Sequence, residues 1–327
     1  MRFGLGIPSG REGRSVPAGF AGPKQTVKVC KLAEKLGFEV LWADDHLNAS
    51  REIRARDPIP PNLYEAIVSL SYLAAETKKA KLGLGVLVLP MREPVVAARQ
   101  IATLDVFSGG RVILGVGLGS RDEFDAVLPR NIKAHRGNML NEGIQALRML
   151  FTEDEASFKG EYYEFEGIAV NPKPAQKPFP IYIAGSAADT PKRIAQWANG
   201  CFIPRGLEGL KKRVIDLKPL LEKEGRSLAD IDMTSRTIVS IARTRKEAVE
   251  RLMASRIANR FTGQELEKTL EQNLIGTPSE IIEGIARLKK EGMTQCVAQN
   301  IAADDYNLML EQVQTFGEEV IPVFKGK

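Results

Sequence analysis

Strand-like and helix-like segments alternate along almost the whole chain, and this rhythm limits the possible folds more than any other feature. Arg2 to Pro8 is β-rich, and Pro23 to Leu36 has helical spacing, with Val27, Leu32, Ala33 and Leu36 on one side and Gly37 placed as a C-cap. Phe38–Ala43, Ala80–Leu89, Arg111–Gly117, Phe179–Ala184, Gly200–Ile203, Asp232–Ala242 and Thr294–Gln299 read as further strands. Between and after them, Leu63–Thr77, Glu93–Phe107, Asn138–Phe151, Thr190–Ala198, Gly206–Glu224, Lys246–Asn259, Pro278–Glu291 and Asp305–Glu319 read as helices. Strand-then-helix repetition implies a parallel sheet with right-handed crossovers. About eight such units in 327 residues predict a closed (β/α)8 TIM barrel, in the α/β class. The competing open doubly wound sheet lacks its usual sign: Gly4 and Gly6 lie inside the first strand and Pro8 follows, so no GxGxxG turn opens a helix there.

Two stretches break the rhythm. Phe158–Pro174 reads as a β-hairpin with a proline-rich exit, an insertion at about 155–175 in one barrel domain spanning 1–327. The segment Leu47–Asn62 carries no regular period and is rich in proline and in Arg51, Arg54 and Arg56. A long loop after a barrel strand sits at the C-terminal face, where substrate pockets are built.

Charge and cysteine content exclude several functions. Lys and Arg total 46 against 41 Asp and Glu, a mild excess with no long run of like charges, so nucleic-acid binding is not indicated. A basic surface does suit an anionic ligand. Cys30, Cys201 and Cys296 are far apart and form no CxxC pair, which argues against a disulfide framework or zinc site and fits a reducing cytoplasm. No apolar run is long enough for a signal peptide or a membrane span. Only two histidines are present, too few for the ligand clusters of a metal-dependent hydrolase.

Four constellations remain as candidates for chemistry. Trp42-Ala43-Asp44-Asp45-His46 closes the second strand, where barrel side chains reach the active face. An imidazole beside a carboxylate can trade a proton near neutral pH, although a strand-end turn with Asp45 as a cap is the competing explanation. Gly85, before Val86 in the third strand, marks a bulge, a close backbone approach to a ligand, or simply a small residue in the barrel interior. Gly115, Gly117 and Gly119 expose backbone amides at the end of the fourth strand. Ala184-Gly185-Ser186-Ala187 leads into the helix at Thr190 and suits a phosphate at its N-terminus, unless Ser186 or Asp189 only caps that helix. His135 reads as a surface or capping residue, and Cys201 and Cys296 as small buried apolar ones.

Taken together, these strings resemble the luciferase-like monooxygenase superfamily of FMN-dependent and coenzyme F-420-dependent oxidoreductases. The strings are GFEVLWADDHL (37–47), ATLDVFSGGRVILGVGLGS (102–120), RGNMLNEGIQALRMLF (136–151), SFKGEYYEF (157–165) and PIYIAGSAADTPKRIAQWANG (180–200), in the family's order. The resemblance implies a bacterial-luciferase-like barrel with a tricyclic ring in its mouth. It places Asp45 and His46 as the catalytic pair near the ring, and Gly85 and Val86 at a third-strand bulge that often holds a non-proline cis peptide. Gly117 and Gly119 match the loop under the ring. Ala184, Gly185, Ser186 and Ala187 match the phosphate-binding turn, and Cys201, Phe202 and Ile203 its adjoining strand. A homodimer is also implied. Asp44, the arginine-rich loop after His46 and the Gly10–Gly22 stretch depart from the pattern, and the two segments are expected to line the substrate pocket, so no substrate carries over.

The function expected is hydride transfer between F-420 and a small organic substrate. The alternative is a two-component monooxygenase that takes reduced FMN from a separate reductase and uses oxygen. A flavin-binding protein without turnover would be expected to lack the Asp45–His46 pair.

Overall fold

The computed structural model describes residues 1–129, 133–260 and 263–325. Eight parallel strands close a barrel. β1 (Arg2–Gly6), β2 (Val40–Ala43), β3 (Lys81–Val88) and β4 (Val112–Gly117) pair in sequence order. β5 (Ala156–Lys159) and β6 (Glu164–Ile168) form a separate antiparallel hairpin. The barrel resumes with β7 (Ile181–Ile183), β8 (Gly200–Phe202) and β9 (Asp232–Ile241); β10 (Leu274–Gly276) only extends the edge of β9. β11 (Gln295–Ile301) pairs with both β9 and β1 and completes the closure.

The outer layer is helical: α1 (Pro23–Leu36), α2 (Arg51–Arg54), α3 (Ala66–Glu76), α4 (Pro94–Ser108), α5 (Arg121–Val127), α6 (Arg136–Thr152), α7 (Thr190–Trp197), α8 (Gly206–Lys223), α9 (Arg245–Ala254), α10 (Gln264–Gln272), α11 (Pro278–Lys290), α12 (Tyr306–Thr315) and α13 (Ile321–Lys325). α1 shows how local chemistry sets the ends. Pro23 starts it where a missing N–H costs nothing, and Gly37, at φ 90°, returns its amide to Ala33 and Glu34. Its buried residues Thr26, Val29, Cys30 and Ala33 fall at helical spacing on the barrel side. No helix among the described residues is long and apolar enough to cross a membrane.

The barrel interior is plugged by aromatic rings. Trp42, Tyr182 and Phe202 meet there with Val40, Ile113 and Val297. The Trp42 and Phe202 centroids are 5.1 Å apart, edge to face. Glycines on neighbouring strands make room for these rings: a Cβ at Gly83 would lie 2.3 Å from the Trp42 ring, and one at Gly4 2.8 Å from its indole nitrogen. The same ring lies 2.9 Å from a Cβ position at Gly85, so part of that glycine's purpose is packing.

Candidate functional site

The C-terminal ends of the strands surround a cavity of about 300 Å³, lined among others by Arg11, Asp44, Asp45, His46, Gly85 and Val86. β2 delivers three consecutive polar side chains to it, and each has a different attachment.

Asp44 ties the rim together. Its carboxylate pairs with Arg11 Nε at 3.1 Å and Arg236 Nη2 at 3.3 Å, and accepts from Gln299 Nε2 at 2.8 Å. Asp45 is 4% exposed and points toward β3. Its Oδ2 accepts from the Val88 amide at 2.9 Å, and its Oδ1 meets Arg92 Nη2 at 2.6 Å. Arg92 also reaches Glu65 at 3.1 Å. Burial raises the Asp45 pKa although Arg92 and the Val88 amide pull the other way. With both oxygens engaged, Asp45 anchors the end of β3.

His46 has a partner in α5. Its Nδ1 lies 3.1 Å from Glu123 Oε2. Glu123 is 5% exposed and also accepts from the amides of Leu47 at 2.5 Å and Asn48 at 3.1 Å. Burial opposes its ionisation, but the His46 hydrogen bond and charge and those two amides outweigh it and hold the carboxyl below its ordinary range. The Glu123 amide itself is capped by Ser120 Oγ, which puts the carboxylate in the first turn of α5, where the helix dipole favours a negative charge. An ionised carboxylate only accepts, so Nδ1 carries the hydrogen. Nε2, with no partner among the described residues, is left as the exchangeable ring nitrogen.

The third strand carries a cis peptide between Gly85 and Val86, and its register with β4 slips between Leu84 and Leu87. A Cβ at Gly117 would lie 2.7 Å from Val86 Cγ2, so Gly117 makes space for the bulge. Gly119, at φ 64°, lines the mouth together with Gly85 and Val86.

Around the rim, the turn after β7 leaves Gly185, Ser186 and Ala187 exposed, and Asp189 makes no side-chain cap on α7. Behind the turn stands Arg213 of α8, only 4% exposed. Its Nη2 donates to the Gly185 carbonyl at 2.8 Å, while Nε and Nη1 are buried with no hydrogen-bond partner among the described residues. Ser186, Ala187, Lys212 and Arg213 line a second cavity of about 580 Å³. Pro204 borders this cavity and Arg205 the first, so the exit of β8 separates the two. An uncapped helix start with an orphaned guanidinium behind it fits a phosphate, and the adjoining mouth with its glycine-lined floor fits a flat ring.

Other expected residues lie deeper. Gly117, Ala184, Cys201, Phe202 and Ile203 line neither cavity. Cys201 packs its sulfur 3.5 Å from that of Met233, and burial pushes its thiol up to about 12, so it is an inert core residue. Phe202 carries the Arg236 guanidinium over its ring at 5.4 Å. His135 is the N-cap of α6, its Nδ1 accepting from the Asn138 amide at 3.2 Å.

One sequence expectation needs correcting. Arg51, Arg54 and Arg56 are exposed and do not line the mouth; Arg56, just past α2, pairs back with Glu52. Their loop is held instead by a two-pronged ion pair from Asp57 to Arg256, one contact being 2.6 Å. The Gly10–Gly22 stretch does reach the mouth, through Gly10, Arg11, Arg14 and Ser15. Among the described residues no group of three or more His, Cys, Asp or Glu could hold a metal ion.

Comparison with known proteins agrees with this geometry. The family model described as luciferase-like monooxygenase matches residues 1–295. An FMNH2-dependent dimethylsulfone monooxygenase of Pseudomonas putida is 29% identical over 91% of this chain and 87% of its own. An F-420-dependent glucose-6-phosphate dehydrogenase of Amycolatopsis mediterranei is 27% identical over 93% of this chain and 96% of its own. The structure of the F-420-dependent tetrahydromethanopterin reductase from Methanopyrus kandleri superposes with a TM-score of 0.77 at 23% identity, covering 99% of each chain, which shows the shared fold. The chain belongs to the luciferase-like monooxygenase family, and it is an oxidoreductase working with F-420 or FMN.

Proposed function

We propose that the protein transfers hydride between F-420 and a small organic substrate. The observation that carries this reading is the His46–Glu123 couple at the edge of the Gly85–Val86 floor. When bound, F-420 supplies a ring carbon that gives or takes hydride. His46, oriented through Nδ1, then gives or takes the substrate proton at Nε2. Glu123 fixes the tautomer and steadies the imidazolium. Asp45 sets the height of β3 through the Val88 amide and Arg92, which supports the floor. The Gly185–Ser186 turn and Arg213 hold the cofactor phosphate.

The charged lining favours this over oxygen chemistry. A reduced flavin that reacts with oxygen needs a site dry enough to prevent side reactions. Here the mouth is lined by four arginines and two aspartates. The second reading, a monooxygenase fed with reduced FMN by a separate reductase, is supported by the 29% identity to the dimethylsulfone enzyme.

The phosphate assignment has a direct test. Ser186 is exposed, so Ser186→Asp leaves the fold intact and brings a negative charge to the phosphate. Cofactor affinity measured by fluorescence titration is expected to fall at least about tenfold, the scale of one charge-assisted contact. An unchanged Kd would place the phosphate elsewhere.

We also propose a homodimer in the cytoplasm. Val68 and Tyr72 on α3 and Val96 and Phe107 on α4 are exposed apolar residues on adjacent helices, with Phe107 82% exposed. Light scattering of Tyr72→Lys/Phe107→Lys is expected to report monomer where the native protein reports dimer. Three buried cysteines without a disulfide fit a reducing compartment.

A further inference from the structure

We propose that the substrate carries an oxyanion, a carboxylate, sulfonate or phosphate, gripped by Arg11, Arg205 and Arg236 at the mouth. This rests on the reading of the mouth as the place where substrate meets the cofactor ring.

Four arginines, Arg11, Arg14, Arg205 and Arg236, line this cavity against two carboxylates, Asp44 and Asp45. The carboxylates do not neutralise them. Asp45 is taken by Arg92, which is outside the lining, and Asp44 is shared between Arg11 and Arg236. Arg14 faces Glu123 at 3.6 Å. Arg205 has no hydrogen bond or ion pair among the described residues. Burial and then the nearby Arg236 both act to lower its pKa, as befits a cation with no counter-ion of its own among the described residues.

Arg11 shows that the site is built rather than incidental. It is 4% exposed, yet its Nη2 is buried without a hydrogen-bond partner among the described residues, and its Nη1 bond to Asn300 Oδ1 is long, at 3.4 Å. Its guanidinium lies on Gly6 at the end of β1, where a Cβ would come within 2.2 Å of Nη2. A glycine there makes room for a buried, half-satisfied cation at the mouth. Leaving such a donor unpaired is costly unless a ligand completes it. A planar guanidinium fork matches the geometry of an oxyanion, and a second cation across the cavity adds to the attraction. An anion in this position would reverse the local repulsion between Arg205 and Arg236 and would hold the substrate's reacting carbon at a fixed distance from His46.

The same chemistry could instead serve an anionic part of the cofactor, and the experiment separates the two. Inorganic sulfate is titrated by calorimetry into the F-420-loaded protein and into the cofactor-free protein, with F-420 affinity measured in parallel. Native protein, Arg205→Ala and Arg205→Lys are compared, because Arg205 has no hydrogen bond or ion pair among the described residues to lose, so that its loss spares the fold. The expected result is sulfate binding to the loaded protein that weakens at least tenfold in Arg205→Ala, recovers in part in Arg205→Lys, and leaves F-420 affinity unchanged. Sulfate binding that vanishes on loading, with F-420 affinity falling in Arg205→Ala, would assign the arginines to the cofactor and overturn the proposal. Absence of sulfate binding to the loaded protein would overturn it too. Failure of F-420 to bind any form would instead contradict the reading of the function, and it is scored by the parallel measurement.

Discussion

His46→Ala is expected to lower turnover by about 10²–10⁴-fold, the usual contribution of a placed acid or base, while leaving cofactor affinity unchanged. The separation follows from geometry. His46 meets Glu123 and the mouth, whereas the turn proposed to hold the phosphate borders a different cavity through Ser186 and Ala187. Steady-state kinetics alongside a cofactor titration check both halves, and turnover at the native rate would remove His46 from the mechanism. Glu123→Gln gives a finer version. Glutamine keeps the size but loses the charge that fixes the Nδ1 hydrogen, so part of the rate is lost and the pH profile changes. There is also a stability signature. The Glu123 pKa is depressed in the folded protein, so its contribution is complete above the ordinary carboxylate range and fades as pH falls through the depressed value. Thermal midpoints of the native protein should therefore drop on acidification in a way that Glu123→Gln does not share.

Arg92→Met is expected to destabilise the fold by about 3–5 kcal/mol at neutral pH, the scale for breaking a buried ion pair from one side. The carboxylate left behind, Asp45, is 4% exposed and would keep only the Val88 amide as a strong partner. The loss should shrink in acid. Asp45 already has a raised pKa, and without Arg92 it rises further, so protonation neutralises the stranded charge as pH falls toward and through that raised value. Thermal denaturation of native and variant protein across pH checks this, and a pH-independent difference would mean that Arg92 acts through packing alone. Because Asp45 sets β3 through Val88, the cofactor should also bind more weakly in this variant.

The legibility of the fold and of the site differed for physical reasons. Helix α1 could be read to the residue because Pro23 and Gly37 are local signals with local causes. The eight barrel strands were visible as apolar runs because strands buried on both faces must be apolar throughout. Helices α5 and α10 and strand β10 were missed; they are short, and the two helices are largely polar, so their periodicity is weak. That mattered for the site, since Glu123 lies inside α5. Its link to His46 spans 77 positions, and no local pattern announces such a pairing. Arg92 and Arg213 were hidden for the same reason, each reading as an ordinary arginine beside a helix start or within a helix. The bulge at Gly85 and Val86 came from the family resemblance, while the packing reason for the glycine appeared only once Trp42 was seen against it. The arginine-rich loop misled in the other direction: charge in a sequence marks a surface, and Arg51, Arg54 and Arg56 are on it, whereas the arginines of the mouth come from three separate places in the fold, the stretch after β1, the start of α8 and β9.

The most direct measurement is a parallel titration of the purified protein with F-420 and with FMN, followed by absorbance and fluorescence. Tight binding of F-420 with weak binding of FMN is the expected result, and it identifies an oxygen-independent hydride-transfer enzyme. Tight binding of FMN with weak binding of F-420 would contradict it and point to a monooxygenase with a partner reductase.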